Sequence, residues 1–544
     1  MKIIGGCMKK YFIIMLCAVA FLSIQAAEGD YYMMISSTSG VPDNLLIPGD
    51  VFLDINGTKV TGYQDSSKLI EAANGAFKES GPEKFIMLSY GKTREVNATF
   101  SDDMSFNLGI VRETYTVSTK KASDQLTGLL KAMDNGYVKY DGQDYKAAKK
   151  YLTAFMQTDL SKKENLDLRS LVRKLACFFS LLNDGHAGAM TTQLSDAFSA
   201  GLLLGNDRFL PLHVEIMESG VYMKPGHYSD KKAKILEING VKIESILEEL
   251  VPMASGDTVQ NKMDEIADNF QFFYYLAFGS TEQARLKLRA LSREEEITLK
   301  GVTYQDVLHY PQTQLFSGKP VEMTRIGDVA VLKLMGFWKE PWFKESVDKC
   351  FSEIRTAGIH KLVIDLRQNG GGHTDGLVHL LSRISDRNFK FWEANLDRCS
   401  KEARDDGIKF DDDLAIGESR RYTHEAYTPT AEKMFTGEVR LLVGRKTFST
   451  AFDCAVCFSA MKLGTIIGSN TGGNNNSTEK GFKHNLEFAD IQTSIPYRIW
   501  INVDTPAYDS DLSLKPDIYA VQSESDYLQG TDTVLNKALK SFGQ

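Results

Sequence analysis

The chain has 544 residues, 43% hydrophobic and 25% charged, with a formal net charge of −8. That length exceeds one ordinary domain, and the composition is that of a globular protein able to build sizeable cores. The acidic balance, without a basic stripe, excludes the electrostatic footprint of nucleic-acid binding.

In chain order, Lys9 and Lys10 precede an apolar run over residues 11–24, and small residues follow it. This pattern predicts a cleaved secretory signal over residues 1–27 and a periplasmic or secreted protein. The run is short for a membrane span, and a lipid anchor at Cys17 is the lesser reading. Of the seven cysteines, five lie beyond the signal: Cys177, Cys350, Cys399, Cys454 and Cys457. So sparse and odd a set excludes a disulfide scaffold. Cys454 and Cys457 have C-x-x-C spacing, but a zinc site would need a second ligand pair. One helical turn apart on an apolar face, they read as packing.

"GDVFLDINGTKV" at 49–60 matches "KAKILEINGVKI" at 232–243. Each reads as a strand ending in an Ile-Asn-Gly turn. A helix over about 67–77 and the strand "EKFIMLSY" follow the first copy, an order that resembles a PDZ domain, which binds extended peptides at a sheet edge. Between the copies, residues 122–179 lack proline and place apolar residues at helical spacing, predicting a small helical unit that ends at "NDGHAG". Residues 243–278 read as further helix. From about Met323, continuous apolar strands alternate with helices: "DVAVLKL", "KLVIDLR", "EVRLLVG" and "TIIGS" are strands, and this predicts an α/β domain with covered parallel strands. The expected division is 28–117 PDZ-like, 118–200 helical, 201–319 a second PDZ-like or insert region, and 320–544 the α/β core.

The chemistry concentrates in that core. In "VIDLRQNGGGHTDG" a buried strand opens through Gly370, Gly371 and Gly372 onto a helix. Glycines let backbone N–H groups approach a ligand closely, and a helix N-terminus favours negative charge. No P-loop Lys-Ser/Thr follows, so an oxyanion hole is the better use. Ser449 stands just beyond another buried strand, at the entrance to a helix, where the Thr450 N–H would share its space. By spacing alone it is either an ordinary N-cap or a nucleophile. It lacks the G-x-S-x-G elbow.

"VIDLRQNGGG", "TFSTAFDCA", "IIGSNTGG" and the late "KPDIYA" together resemble the C-terminal-processing and tricorn-type serine peptidases. The resemblance implies a crotonase-like α/β core over about 320–544 with PDZ-like units. It also implies Ser449 as nucleophile, with Thr450 and one of Gly370, Gly371 or Gly372 supplying oxyanion N–H groups. One branch of the family activates its serine with a lysine, but Asn474 occupies that position here and cannot accept a proton; Lys480 is misplaced for the task. The other branch uses a histidine from the upstream helical region, which implies His186 in "NDGHAG" as the base. Imidazole is suited to that step at neutral pH. Gly185 stands where that branch has a hydroxyl residue. The orienting acid is expected near Pro516, with Asp509 and Asp511 the nearest carboxylates. His373 is a rival base or a cleft residue, Asp184 fixes the histidine turn, and Asp365 with Arg367 holds the glycine loop. No metal and no cofactor are called for. The implied activity is that of a secreted or periplasmic serine endopeptidase acting on polypeptides or chain termini, with possible envelope association. The competing reading is a peptidase-like protein that captures peptides or apolar ligands without cleaving them. A third, a Cys454/Cys457 thiol-redox enzyme, would lose activity with the cysteines and not with Ser449.

Overall fold

The computed structural model describes residues 2–4, 31–188 and 207–542, apart from short stretches at 40, 43–44, 79–80, 91, 101–103, 113–115, 227, 291–292, 310–318, 431, 480 and 488–490. The expected leader lies almost wholly outside the described residues, and so does Lys480.

Both Ile-Asn-Gly turns form, and they form alike. Strand Val51–Ile55 turns back into Thr58–Lys59, and Ala233–Ile238 into Val241–Lys242. Asn56 and Gly57 have φ of 52° and 88°, Asn239 and Gly240 of 54° and 80°. Positive φ at both central residues is what a type I′ hairpin requires. Each asparagine side chain then accepts a backbone N–H from the next strand, Asn56 from Lys84 at 2.8 Å and Asn239 from Arg285 at 2.9 Å.

Each copy belongs to a separate antiparallel sheet. In the first, Tyr31–Ser39, Val51–Ile55, Glu83–Ser89 and Lys92–Ala98 are neighbours in that order, and α1 (Ser66–Ala76) packs on them. The second runs Val214–Met217, Gly220–Met223, Ala233–Ile238, Gln283–Ala290, Arg293–Lys300. Among the described residues between the two sheets in sequence are three α-helices, α2 (Thr119–Gly136), α3 (Gln143–Thr158) and α4 (Leu168–Ser180). Leu126, Leu129 and Met133 of α2 face Leu171, Leu175 and Phe179 of α4 in one shared core. The helical stretch at 243–278 consists of three helices: α5 (Ile243–Leu250), α6 (Val259–Asp268) and α7 (Phe270–Phe278). Pro252 and the Thr258 N-cap break it, Thr258 accepting the Asn261 N–H at 3.1 Å.

The core sheet has six strands in the order β1 (Val321–Ile326), β2 (Val329–Leu334), β3 (Lys361–Asp365), β4 (Glu438–Val443), β5 (Thr465–Gly468) and β6 (Ile518–Tyr519). Only β1 is antiparallel; the rest run parallel. The helices α8 (Pro341–Thr356), α9 (Thr374–Ile384) and α10 (Thr450–Met461) cover one face against Leu332, Ile364 and Leu441. Helix α11 (Thr533–Lys540) covers the other against Val331, Val363 and Leu442. Burial on both faces is why these strands read as unbroken apolar runs.

A hairpin from the core, Phe482–Leu486 and Ile491–Ile495, joins the core of the helical unit. This docking brings the end of α4 to the carboxyl ends of β3 and β4.

Candidate active site

Beyond β4 the chain makes a tight turn tied to the end of β3. The Thr447 hydroxyl donates to the Leu366 carbonyl and accepts the Gly444 N–H, both at 2.9 Å. Ser449 follows with φ 52° and ψ −130°, a backbone region nearly reserved for glycine. Holding a serine there costs on the order of 1–3 kcal/mol, and such outliers cluster at functional sites. Ser449 occupies the N-cap position of α10, but its side chain makes no capping hydrogen bond. The cap reading therefore fails.

The hydroxyl faces a histidine instead. His186 Nε2 lies 3.3 Å from Ser449 Oγ, a distance at which the hydroxyl donates to Nε2 when the ring proton sits on Nδ1. The imidazole stacks on Phe448, ring centroids 4.7 Å apart at 24°. Gly185 makes room for this stack: a Cβ there would lie 2.8 Å from the Phe448 ring. That contact accounts for glycine directly before the histidine.

Asp184 fixes the turn. Its Oδ1 accepts the N–H groups of His186 (3.0 Å) and Ala187 (3.2 Å) and the Thr478 hydroxyl (2.5 Å). Its Oδ2 accepts the Tyr137 hydroxyl at 2.9 Å and lies 3.9 Å from Lys139 Nζ. Burial opposes its ionised form, but Lys139, Thr478 and His186 outweigh that and hold its carboxyl below the usual range. Lys262 of α6 braces the same turn, donating to the Ser180 carbonyl at 2.7 Å and to Asn183 Oδ1 at 2.8 Å. Burial pushes the His186 imidazole down to about 4, against the pull of Asp184 and with some help from Lys139. The ring is thus neutral near pH 7, as a general base must be.

The glycine loop lies against the serine. A Cβ on Gly371 would lie 2.7 Å from Ser449 Cβ and 3.0 Å from the Thr450 nitrogen, and one on Gly372 would lie 2.1 Å from the Phe337 carbonyl oxygen. The two have φ of 111° and 131°. The Thr450 hydroxyl donates to the Gly372 carbonyl at 2.8 Å, locking loop to helix. Thr450 opens α10, where an N–H has no intrahelical acceptor. The Gly371 N–H is taken by Asn369 Oδ1 at 2.9 Å. Among the described residues no backbone acceptor is seen for the Gly370 and Gly372 N–H groups.

Other predicted residues lie in different surroundings. Asp509 accepts from Asn470 Nδ2 at 2.7 Å and lies 3.3 Å from Lys515; Asp511 accepts the Ser513 hydroxyl at 2.6 Å. His373 caps α9, accepting the Asp375 N–H. Arg367 bridges Asp365 and Asp532 with bidentate bonds. Cys454 and Cys457 are buried in α10, where burial first pushes both thiols up, Cys457 to about 12. Thiolate chemistry is disfavoured there.

A further buried carboxylate, which no sequence motif marks, meets this turn. Asp257, in the turn before α6, accepts the Gly185 N–H at 2.7 Å. Asp184, His186 and Asp257 each place a ligand-type atom within 4.8 Å of the others. Both Asp184 oxygens already accept hydrogen bonds, so the trio does not offer three free ligand atoms to a metal.

Residues 328–485 match the family model described as Peptidase family S41. The chain carries an S41 peptidase core. With the family comes the enzyme class, a serine peptidase acting on polypeptides. The matched span holds the glycine loop, Ser449 and Thr478, whereas His186 and Asp257 lie upstream of it. Among solved structures, mature CPAF is similar at 15% identity, with 78% of this chain and 99% of that chain covered and a TM-score of 0.55. Mature CPAF complexed with lactacystin gives 15%, 76%, 95% and 0.54. The photosystem II D1 C-terminal processing protease gives 15%, 78%, 97% and 0.39. The CPAF likeness shows a fold shared well beyond the S41 core segment. No curated protein matches the chain in sequence.

Proposed function

We propose that the protein is an exported endopeptidase that cleaves polypeptides through an acyl-enzyme on Ser449, with His186 as general base. The observation that carries this is the 3.3 Å approach of His186 Nε2 to a serine held in a glycine-type backbone conformation. Ser449 Oγ attacks the scissile carbonyl while its proton passes to Nε2. The Thr450 N–H and a glycine-loop N–H receive the developing oxyanion, at a helix N-terminus that favours negative charge. His186 returns the proton to the leaving amine, and water then releases the acyl group by the reverse roles.

In this reading the chain belongs with the Ser-His branch. Asn474 offers no side-chain base, and its backbone N–H faces Asp257. In this reading the core is crotonase-like, and the two Ile-Asn-Gly sheets are PDZ-like units that hold an extended segment or a chain end of the substrate. The leader expected over 1–27 directs the chain out of the cytoplasm, to the periplasm or beyond the cell. Cleavage of an unfolded polypeptide by the purified protein, abolished in Ser449→Ala, tests the reading. Peptide binding retained by both forms with turnover by neither would replace it with a capture protein.

A further inference from the structure

His186 Nδ1 is buried and has no hydrogen-bond partner among the described residues. A buried ring N–H without an acceptor costs its full desolvation, on the order of 1–3 kcal/mol. It also leaves a catalytic imidazole free to choose the wrong tautomer. Asp257 Oδ2 is likewise buried and without a donor. A ring nitrogen of His186 and a carboxylate oxygen of Asp257 come within 4.8 Å of each other. One water making two bonds of about 2.8 Å spans such a gap.

We infer that Asp257 is the acid that positions His186, taking its Nδ1–H directly or through a single buried water. The alternatives are engaged elsewhere: Asp184 Oδ1 takes three donors and its Oδ2 the Tyr137 hydroxyl, and Asp509 and Asp511 bond within their own loop and to Asn470. Asp257 is already tied to the histidine turn, because its Oδ1 accepts the Gly185 N–H. The neighbouring residue, Thr258, donates to the Gly472 carbonyl at 3.3 Å, anchoring the aspartate's turn to the core. Base, acid and nucleophile thus come from three regions of the chain.

The proton balance is simple. Ser449 gives its proton to Nε2, Nδ1 keeps its own, and the Asp257 carboxylate stays ionised against the imidazolium until the proton leaves with the amine. The groups facing Asp257 are Asp184, His186, Lys139 and the N–H groups of Gly185 and Asn474. Burial first, and then Asp184, push its carboxyl up to about 7, with Lys139 and the two N–H groups opposing. The acid limb of activity is therefore that of Asp257 ionising, above the range where His186 itself protonates.

The inference rests on the Ser449–His186 mechanism, and the test separates the two. The full-length chain and its Asp257→Asn, Asp257→Glu, His186→Ala and Ser449→Ala variants are compared from pH 5 to 9. The readouts are peptide kcat and KM and the rate of labelling by a fluorophosphonate. Asn keeps an oxygen for the Gly185 N–H but puts an uncharged NH2 donor where the acceptor for Nδ1–H stood. Asp257→Asn is expected to lower kcat by about 10²–10⁴ with KM within about twofold. Its acid limb moves from near pH 7 downward by more than about one unit. Asp257→Glu, which keeps the charge, recovers part of the rate and retains the limb. Wild-type rate and limb in Asp257→Asn, or the same loss appearing in Asp509→Asn or Asp511→Asn instead, overturns the inference alone. Full activity in Ser449→Ala or His186→Ala overturns the mechanism and the inference with it.

Discussion

His186 Nε2 and Ser449 Oγ meet at 3.3 Å although 263 residues separate them in the chain. The approach depends on the docking of the α4 turn onto the core, through the Asp184–Thr478 bond and the Gly188–Ser494 backbone pair. His186→Ala should therefore lower kcat by about 10³–10⁴ while KM changes little, because the base acts in the transition state. Steady-state kinetics on a peptide substrate checks this; an equal loss carried by KM would make His186 a binding residue.

Ser449 carries strain that a glycine would not. Its φ of 52° and ψ of −130° predict that Ser449→Gly melts at a higher temperature than Ser449→Ala, since alanine keeps the Cβ and the strain. Both variants lose peptidase activity. Thermal unfolding of the pair decides it, and a lower Tm for the glycine variant would mean the conformation is not costly.

The glycine loop should respond residue by residue. A Cβ on Gly372 meets the Phe337 carbonyl oxygen at 2.1 Å, one on Gly371 meets Ser449 Cβ at 2.7 Å, and one on Gly370 meets nothing within 4 Å. The expected order of lost stability is Gly372→Ala, then Gly371→Ala, with Gly370→Ala nearly unchanged in Tm. Gly371→Ala should also reduce activity more than stability, because the displaced atoms are those of Ser449 and Thr450.

A stability signature accompanies the Asp257 carboxyl. It is pushed up to about 7 in the fold, against about 3.9 in an unfolded chain. Between those values the folded state holds a proton that the unfolded state has released, so stability at this site falls as pH rises from about 4 to 7. Above pH 7 the full cost of the buried charge is present. Asp257→Asn should therefore raise Tm relative to wild type at pH 8 and change it little at pH 4. A gain that is the same at both pH values would show that the charge is not the cause.

The legible parts of this protein are those set by local pattern. The parallel core strands are readable because burial on both faces demands continuous apolar runs, and the two Ile-Asn-Gly turns because their backbone demands Asn and Gly. Ser449 on its own was not legible, since a serine at a helix entrance is usually a cap. Its φ and its missing capping bond are tertiary outcomes. His186 came into view through resemblance, not periodicity. Asp257 was invisible: it precedes an ordinary threonine N-cap, and what makes it distinct is burial beside Asp184 and the Gly185 N–H. Asp509 and Asp511 stand near Pro516, where the resemblance implies the orienting acid, yet the bonds they make to Asn470, Lys515 and Ser513 are local ones. Carboxylates in a polar loop find local partners first.

The most direct measurement is the site of covalent labelling by a fluorophosphonate, located by peptide mass spectrometry at pH 8. The account predicts a single modified serine, Ser449, with labelling lost in Ser449→Ala and strongly slowed in His186→Ala. Labelling at another residue, or labelling of Ser449 at an unchanged rate without His186, would contradict it.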